Sequence, residues 1–198
     1  MRRATLIAAI TAVALAGTAI AQQQNVNVRG TIAALDGNKL SVKTKAGSDV
    51  TVELPESVNV ATTAKFSLAD VKPGMVLGVT TVKRPDGSIV AIDVRPVPPT
   101  APLGLSSYDL QPGSTMTNAT LEGAAAEAPS GHELTLNYKS GTVKVLVPPD
   151  TPMSRAVPGS RADLKPGETV YVAARKGDGD TLTAVRVQVS KDGVKPTQ

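Results

Sequence analysis

The chain has 198 residues, no cysteine, one histidine and a formal net charge of +4 at pH 7. The lack of thiols excludes disulfides, thiolate metal sites and a lipid-modified cysteine. Without Arg2 and Arg3, 19 basic side chains face 17 acidic ones, so bulk charge disfavours a nucleic-acid-binding or membrane-surface protein.

The first 21 residues predict a cleaved signal peptide. Arg2 and Arg3 form a basic start, residues 6–20 are apolar, and residues 19–21 match an A-x-A cleavage site, so that Gln22 begins the mature chain. A membrane anchor is disfavoured, because the apolar stretch is shorter than the roughly 20 residues of a spanning helix. The sequence therefore predicts a periplasmic or secreted protein without a transmembrane segment, exported by either the Sec or the twin-arginine route.

The mature sequence contains an internal repeat with a period of 93 residues. Gly30 recurs as Gly123, and the stretch DVKPG at 70–74 recurs as DLKPG at 163–167. A repeat of this length exceeds the 20–50 residues of a solenoid unit and indicates two tandem domains.

The predicted organisation is a signal peptide, two similar domains, a connector between them and a tail. The signal peptide comprises residues 1–21, the first domain 22–97, the connector 98–118, the second domain 119–190 and the tail 191–198. The tail is polar and expected to be flexible.

Apolar residues at every second position predict five strands in each domain. In the first domain they lie near 28–32, 40–44, 50–54, 77–81 and 90–94. In the second they lie near 121–125, 134–138, 143–147, 170–172 and 185–189. Such alternation is typical of half-buried antiparallel strands, so each domain is expected to curl around its own core.

The spacing between the third and fourth predicted strands is wide in both domains. In the first domain Ser67 can cap a helical turn, and Pro73-Gly74 suits a type II turn. Gly74 and its copy Gly167 are therefore expected to have positive φ angles. Five strands with an insert after the third predict two OB-like barrels, with SH3-like or sandwich modules as the alternative.

The connector 98–118 is rich in proline but also carries apolar side chains that a plain linker does not need. These are Leu103, Leu105, Tyr108 and Leu110. Tyr108 is the candidate ligand-binding residue, because tyrosine combines apolar area with a polar tip. Two interpretations stay open: the connector only packs the domains together, or it lines a cleft between them.

No group of residues indicates catalysis, a cofactor or a metal. The single histidine, His132, lies in a predicted turn and is expected to be solvated. The segment 176–180 lacks the oxygen ligands of a calcium loop at the required spacing. Single-stranded nucleic acid is disfavoured too, since only 2% of the residues are aromatic and could stack on bases.

The turn and core motifs resemble those of exported bacterial proteins with the domain of unknown function 5666. In the first copy the matching residues are Gly30, Gly37, Leu40, Val42, 67–74, 86–87, Ala91 and Val94. In the second copy they are Gly123, Gly131, Leu134, Leu136, 162–167, Ala184 and Val187. The second copy departs at Gly179-Asp180, where the order of Asp and Gly is reversed. The resemblance implies export and a small OB-like domain; it implies no catalytic residue.

The sequence thus predicts an exported, non-enzymatic binding or scaffolding protein whose partner is a protein or another envelope component. The alternative is a periplasmic accessory of a transport system that binds a small ligand or a metal ion. An enzyme is the third class, without a supporting motif.

Overall fold

A computed structural model of the protein describes residues 24–197, apart from the side chain of Asp178. The predicted signal peptide 1–21 lies outside these residues. Within them the predicted all-β fold is confirmed, with thirteen strands, three short 3₁₀ turns and no α-helix.

The strands are β1 Gln24–Asp36, β2 Lys39–Thr44, β3 Asp49–Glu53, β4 Asn59–Lys65, β5 Val76–Lys83, β6 Ile89–Pro96, β7 Gly104–Ser107, β8 Thr115–Ala128, β9 Gly131–Tyr138, β10 Gly141–Val147, β11 Ser154–Pro158, β12 Thr169–Lys176 and β13 Leu182–Val189. The 3₁₀ turns are Leu68–Asp70, Arg161–Asp163 and Asp178–Asp180. No helix in this part of the chain could span a bilayer.

The first sheet contains a closed five-stranded barrel. Its seven strands follow the order β11-β4-β13-β12-β1-β2-β3, and β13 also pairs with β3. The closing contact is parallel and joins Leu182 to Val52 and Thr183 to Glu53. The barrel therefore consists of β1, β2, β3, β13 and β12, with β4 and β11 added beyond β13.

The second sheet has six strands in the order β5-β6-β10-β9-β8-β7. An additional pairing joins β5 to β8, so that β5, β6, β10, β9 and β8 form a ring of neighbours. The weakest link of this ring is a single parallel pair between Leu146 of β10 and Val90 of β6.

The two sheets exchange strands between the two halves of the sequence. The barrel combines β1–β3 of the first half with β12 and β13 of the second, and the ring combines β8–β10 with β5 and β6. The expectation that 22–97 and 119–190 each close around their own core is therefore wrong. Apolar and polar residues alternate in the same way in both halves. A strand can therefore bury its apolar face against strands of its own half or of the other half.

The two hydrophobic cores confirm the exchange. The first core combines residues between Val28 and Val60 with residues between Leu164 and Val189. The second core combines residues between Phe66 and Val94 with residues between Ala119 and Val147. Each half thus contributes side chains to both cores.

The chain crosses from one core to the other along β4 and β11, two strands that the alternation of apolar residues did not predict. They pair antiparallel, so that Ala61 is opposite Pro158 at one end and Lys65 is opposite Ser154 at the other. The central pair is Thr63 and Ala156, which lie 93 positions apart in the sequence. Each crossover strand thus meets its own counterpart, as at the axis of a two-fold symmetric dimer.

Glycine positions confirm one expectation and correct another. Gly74 and Gly167 have the predicted positive φ, +82° and +90°. Gly30 and Gly123, although 93 apart, are not structural counterparts. A Cβ on Gly30 would lie 2.2 Å from the carbonyl oxygen of Lys43, whereas Gly123 has φ +69° and open space around it.

The different settings of these glycines follow from an irregularity in β8. Gly30 pairs with Val170, while Ala119 pairs with Leu77, which is 93 positions before Val170. Ala119 is therefore the counterpart of Gly30. Gly123 lies in the bulge between Glu122 and Ala126, which inserts extra residues into β8 opposite β9.

The connector and the tail are both more structured than expected. β7 lies inside the predicted connector, and β8 already begins at Thr115. In the tail, Lys191 and Val194 form a backbone bridge. The Thr197 hydroxyl donates a hydrogen bond to Asp93 of β6. The segment 191–197 is thus held against the body of the protein, contrary to the predicted flexible tail.

Candidate ligand-binding site

A cluster of polar and aromatic side chains fixes the connector to the barrel. It comprises Asn27 and Arg29 of β1, Tyr108 and Asp109 of the connector, and Tyr171 of β12; we call it the arginine–tyrosine cluster. Side chains at odd positions of β1 point to the same face, and Arg29 is paired in register with Tyr171. The strand pairing therefore brings these groups together.

The Arg29 guanidinium lies at the centre of the cluster. It is 5.4 Å from the ring centroids of both Tyr108 and Tyr171, within cation–π range. Its two terminal nitrogens donate to the Asp109 carboxylate at 2.8 and 3.1 Å. Asn27 donates to the same carboxylate at 2.9 Å and accepts a hydrogen bond from the Tyr171 hydroxyl. Arg29 is thereby fixed in position and largely shielded from solvent.

The electrostatics of the cluster favour the charged forms of Arg29 and Asp109. Burial opposes the charge of Arg29, but the Asp109 carboxylate and Tyr108 raise its pKa above the usual value. Hydrogen bonds from Arg29 lower the pKa of Asp109. Burial, with Tyr171 nearby, raises the pKa of Tyr108 to about 12. Tyr108 therefore stays neutral at physiological pH.

Tyr108 lies in a packing contact, and it is not among the side chains that line the large cleft described next. Its backbone is fixed as well, since the Tyr108 N–H donates to the Ser114 carbonyl at 2.9 Å. The Ser114 hydroxyl donates in return to the Tyr108 carbonyl at 2.8 Å. Two residues further on, Leu110 does line the cleft. The connector therefore combines both interpretations, with Tyr108 holding it in place and Leu110 facing the cleft.

The cleft has a volume of about 760 Å³ and lies between the barrel and the second sheet. The barrel wall comes from β1, β2, the turn after β2 and the start of β12. The opposite wall comes from Ile92 of β6, Pro152, Leu110 and the tail. The lining residues are Arg29, Gly30, Thr31, Lys43, Thr44, Lys45, Gly47, Ile92, Leu110, Pro152, Thr169, Val170, Lys195, Pro196 and Thr197. The volume is in the range of 300–1,000 Å³ that is typical of small-molecule sites.

The charged residues of the cleft are all basic. Lys43 and Lys45 come from β2 and its turn, Lys195 comes from the tail, and Arg29 comes from the cluster. Asp109 neutralises Arg29. The three lysines are exposed and form no ion pair with a carboxylate in the part of the chain that the structure describes. The cleft is therefore basic, although the numbers of acidic and basic side chains in the whole chain are nearly equal.

A buried ion pair lies under the tail at the edge of the cleft. Asp93 is fully buried and accepts hydrogen bonds from Arg95 and Thr197, with Thr80 at 3.5 Å. Burial raises the pKa of Asp93, and the charge of Arg95 opposes this shift. The tail wall of the cleft is therefore attached to a buried polar group of the second sheet. Sequence reasoning missed this pair, because Asp93 and Arg95 stood on a face predicted to be solvated.

The described part of the chain can be searched for side chains that would hold a metal ion. Residues 24–197 contain no group of three or more His, Cys, Asp or Glu side chains that could hold a metal ion. His132 lies in β9, paired with Val147 and Glu127, and is half-buried. The prediction that it occupies a solvated turn is therefore wrong.

No family model matches the sequence, and neither the curated proteins nor the solved structures contain a match. The geometry of the molecule is therefore the basis for the functional proposal.

Proposed function

We propose that this protein is an exported, non-enzymatic binding protein of the periplasm or envelope, and that its ligand lies in the cleft between the barrel and the second sheet. The observation that carries the proposal is the cleft itself, which has walls from both halves of the chain, the connector and the tail. Clefts between packed units are frequent binding sites. The ordered arginine–tyrosine cluster supports the proposal by fixing one wall in place.

The location of the site can be tested by filling the cleft. Ile92→Trp places a large side chain in it, and the matched control is Val185→Trp, 93 positions later, at an exposed site outside the cleft. Each immobilised protein is incubated with an envelope extract, and the retained components are identified by mass spectrometry. We expect a component that binds the unchanged protein and Val185→Trp but not Ile92→Trp. Identical retention by all three, with both variants folded, would contradict the cleft as the binding site.

The proposal of export has its own test. The basic start, the apolar stretch and the A-x-A site of residues 1–21 support it. N-terminal sequencing of the protein from its native cell is expected to begin at Gln22. Recovery of the intact Met1 form from membranes would contradict it.

We further propose that the two halves are copies of one OB-like module and that the ring of the second sheet is a second barrel. Two observations support this: β12 and β13 begin 93 positions after β5 and β6, and β5 closes onto β8. The resemblance to the domain of unknown function 5666 is in keeping with it. The single pair Leu146–Val90 is the critical contact, so hydrogen exchange at β6 and β10 tests the closure. Slow exchange at both strands is expected of a closed barrel, and fast exchange would contradict it.

A further inference from the structure

We infer that the cleft binds an organic anion with an apolar body, such as an alkyl phosphate or alkyl carboxylate. This inference rests on the proposed binding function of the cleft and specifies its ligand class. It is carried by two properties of the lining, which contains basic but no acidic side chains and also contains a group of apolar side chains.

The cations approach the cleft from opposite walls. Lys43 and Lys45 lie two positions apart on one side, and Lys195 lies on the tail. Arg29 contributes two fixed terminal nitrogens, but Asp109 already accepts from both of them. The three lysines therefore supply the charge for an incoming anion. An ammonium group binds phosphate or carboxylate oxygens through charge-assisted hydrogen bonds.

The apolar part of the lining lies beside these cations. Ile92 comes from β6, and Pro152, Pro196 and Leu110 come from the segments that cover the second wall. Ile92 and Leu110 are half-buried, so a ligand would cover their remaining exposed area. An inorganic anion would leave this apolar surface exposed to water, whereas the alkyl chain of an organic anion would bury it and bind more tightly for that reason.

The experiment is calorimetric titration of the mature chain with three probes. Octyl phosphate carries both features, inorganic phosphate carries only the charge, and octyl glucoside carries only the chain. We expect octyl phosphate to bind at least about tenfold more tightly than either of the others. Raising the salt concentration should weaken this binding, because exposed charges are screened within about 10 Å at 0.1 M ionic strength.

Two matched pairs of variants assign the binding to the cleft. Lys43→Gln combined with Lys45→Gln and Lys195→Gln removes the cations. Its control is the same triple change at three exposed lysines outside the cleft, Lys65, Lys83 and Lys139. The first triple variant should lose about tenfold or more in affinity for octyl phosphate, and the control should lose little. Leu110→Ala should also weaken it, whereas Leu105→Ala, at an exposed leucine of the same connector, should not.

The outcomes separate the ligand class from the binding site. If octyl phosphate and octyl glucoside bind alike, and the lysine changes have no effect, the anionic class is wrong. The cleft as a binding site survives that result if Ile92→Trp abolishes retention of an envelope component. If octyl phosphate binding is equal in Ile92→Trp and Val185→Trp, the cleft is not its site, and the inference is overturned. Melting curves of all variants show whether each protein is folded.

Discussion

The barrel and the ring of the second sheet repeat one pattern of strands but carry different polar groups at equivalent positions. The pairing of Gly30 with Val170 and of Ala119 with Leu77 gives the equivalence. On this basis Arg29 and Tyr171 of the barrel correspond to Asn118 and Gly78 of the ring, a pair with no charge and no aromatic ring. At the last strand, Arg186 and Gln188 correspond to Asp93 and Arg95.

This difference shows that the barrel and the ring hold their charged groups in different ways. In the barrel, Arg29 donates a hydrogen bond to Asp109 of the connector. In the ring, Asp93 accepts a hydrogen bond from Thr197 of the tail. The hydrophobic positions are alike because the strands of both halves pack against each other. The polar positions beside the cleft are not, and the barrel wall carries Arg29, Lys43 and Lys45.

The largest effect is expected from cutting the connector. Residues 98–102 are replaced by a protease recognition sequence, and the protein is cleaved after folding. Because each sheet contains strands of both halves, the two fragments should stay together in native size-exclusion chromatography and separate only in denaturant. Separation in native buffer would show that each half closes on its own strands. An uncleaved sample serves as the control.

The next largest effect is expected at the buried ion pair. Arg95→Ala leaves the buried Asp93 without its cation, and removing one partner of a buried pair costs about 3–5 kcal/mol. The equivalent change in the barrel, Gln188→Ala, removes a hydrogen bond to Thr63, which costs about 1–3 kcal/mol. Urea unfolding of both variants measures the difference. Equal losses would show that the two positions have the same role.

The two glycines of the repeat should also respond differently. Gly30→Ala pushes a methyl group against the carbonyl of Lys43, and overpacking of this kind costs about 3 kcal/mol. Gly123→Ala meets no atom within 4 Å and costs only the strain of a positive φ, about 1 kcal/mol. If the losses in free energy of unfolding are the same, the assignment of Ala119 as the counterpart of Gly30 is wrong.

A stability that falls as the pH rises is expected from Asp93 of the ring and not from the equivalent position of the barrel, which is Arg186. Burial raises the pKa of Asp93 above 3.8, so the folded state holds this proton more tightly than the unfolded chain. Its contribution to stability is fully present below pH 3.8 and is lost as the pH rises through the raised pKa. The stability of the unchanged protein relative to Asp93→Asn should therefore fall over this pH range. Urea titrations at several pH values measure it, and a relative stability that rises instead would contradict the shift.

The smallest effect is expected at the two 3₁₀ turns, which have the same serine–aspartate hydrogen bonds in both halves. The Ser67 and Ser160 hydroxyls donate to Asp70 and Asp163 at 2.9 and 3.2 Å, and the backbone N–H groups of the serines donate at 2.9 Å in both copies. Ser67→Ala and Ser160→Ala should each cost about 1 kcal/mol. Losses that differ by more than the error of a denaturant titration would show that these turns are not equivalent.

The sequence predicted the local structure well and the pairing of the halves wrongly. Alternating apolar residues and the turn at Pro73-Gly74 specify strands and a positive φ, and these are local properties. The choice of partner strand is not local, since a strand with the same apolar face fits either half. The crossover strand β4 was missed because its threonines 62 and 63 are buried, so no polar face alternates with an apolar one.

The candidate site was only partly predictable for a similar reason. The apolar residues of the connector indicated a packed segment, and Leu110 does line the cleft. The lysines are spread from position 43 to position 195, and only the fold brings them together. Nothing in the sequence links the tail to the second sheet, because the contact between Thr197 and Asp93 forms only in the folded chain.

The strand exchange also determines when the protein can fold during its synthesis. The barrel needs β1 near one end of the chain and β13 near the other, so it cannot close until residues 182–189 have left the ribosome. Contacts this distant in sequence form slowly. The barrel strands of a nascent chain therefore stay unpaired until the chain is almost complete, whereas the strands of the ring all lie before residue 148 and can pair earlier. If the proposed export is correct, this delay would keep the barrel strands in a form that can still be threaded through a narrow translocation channel.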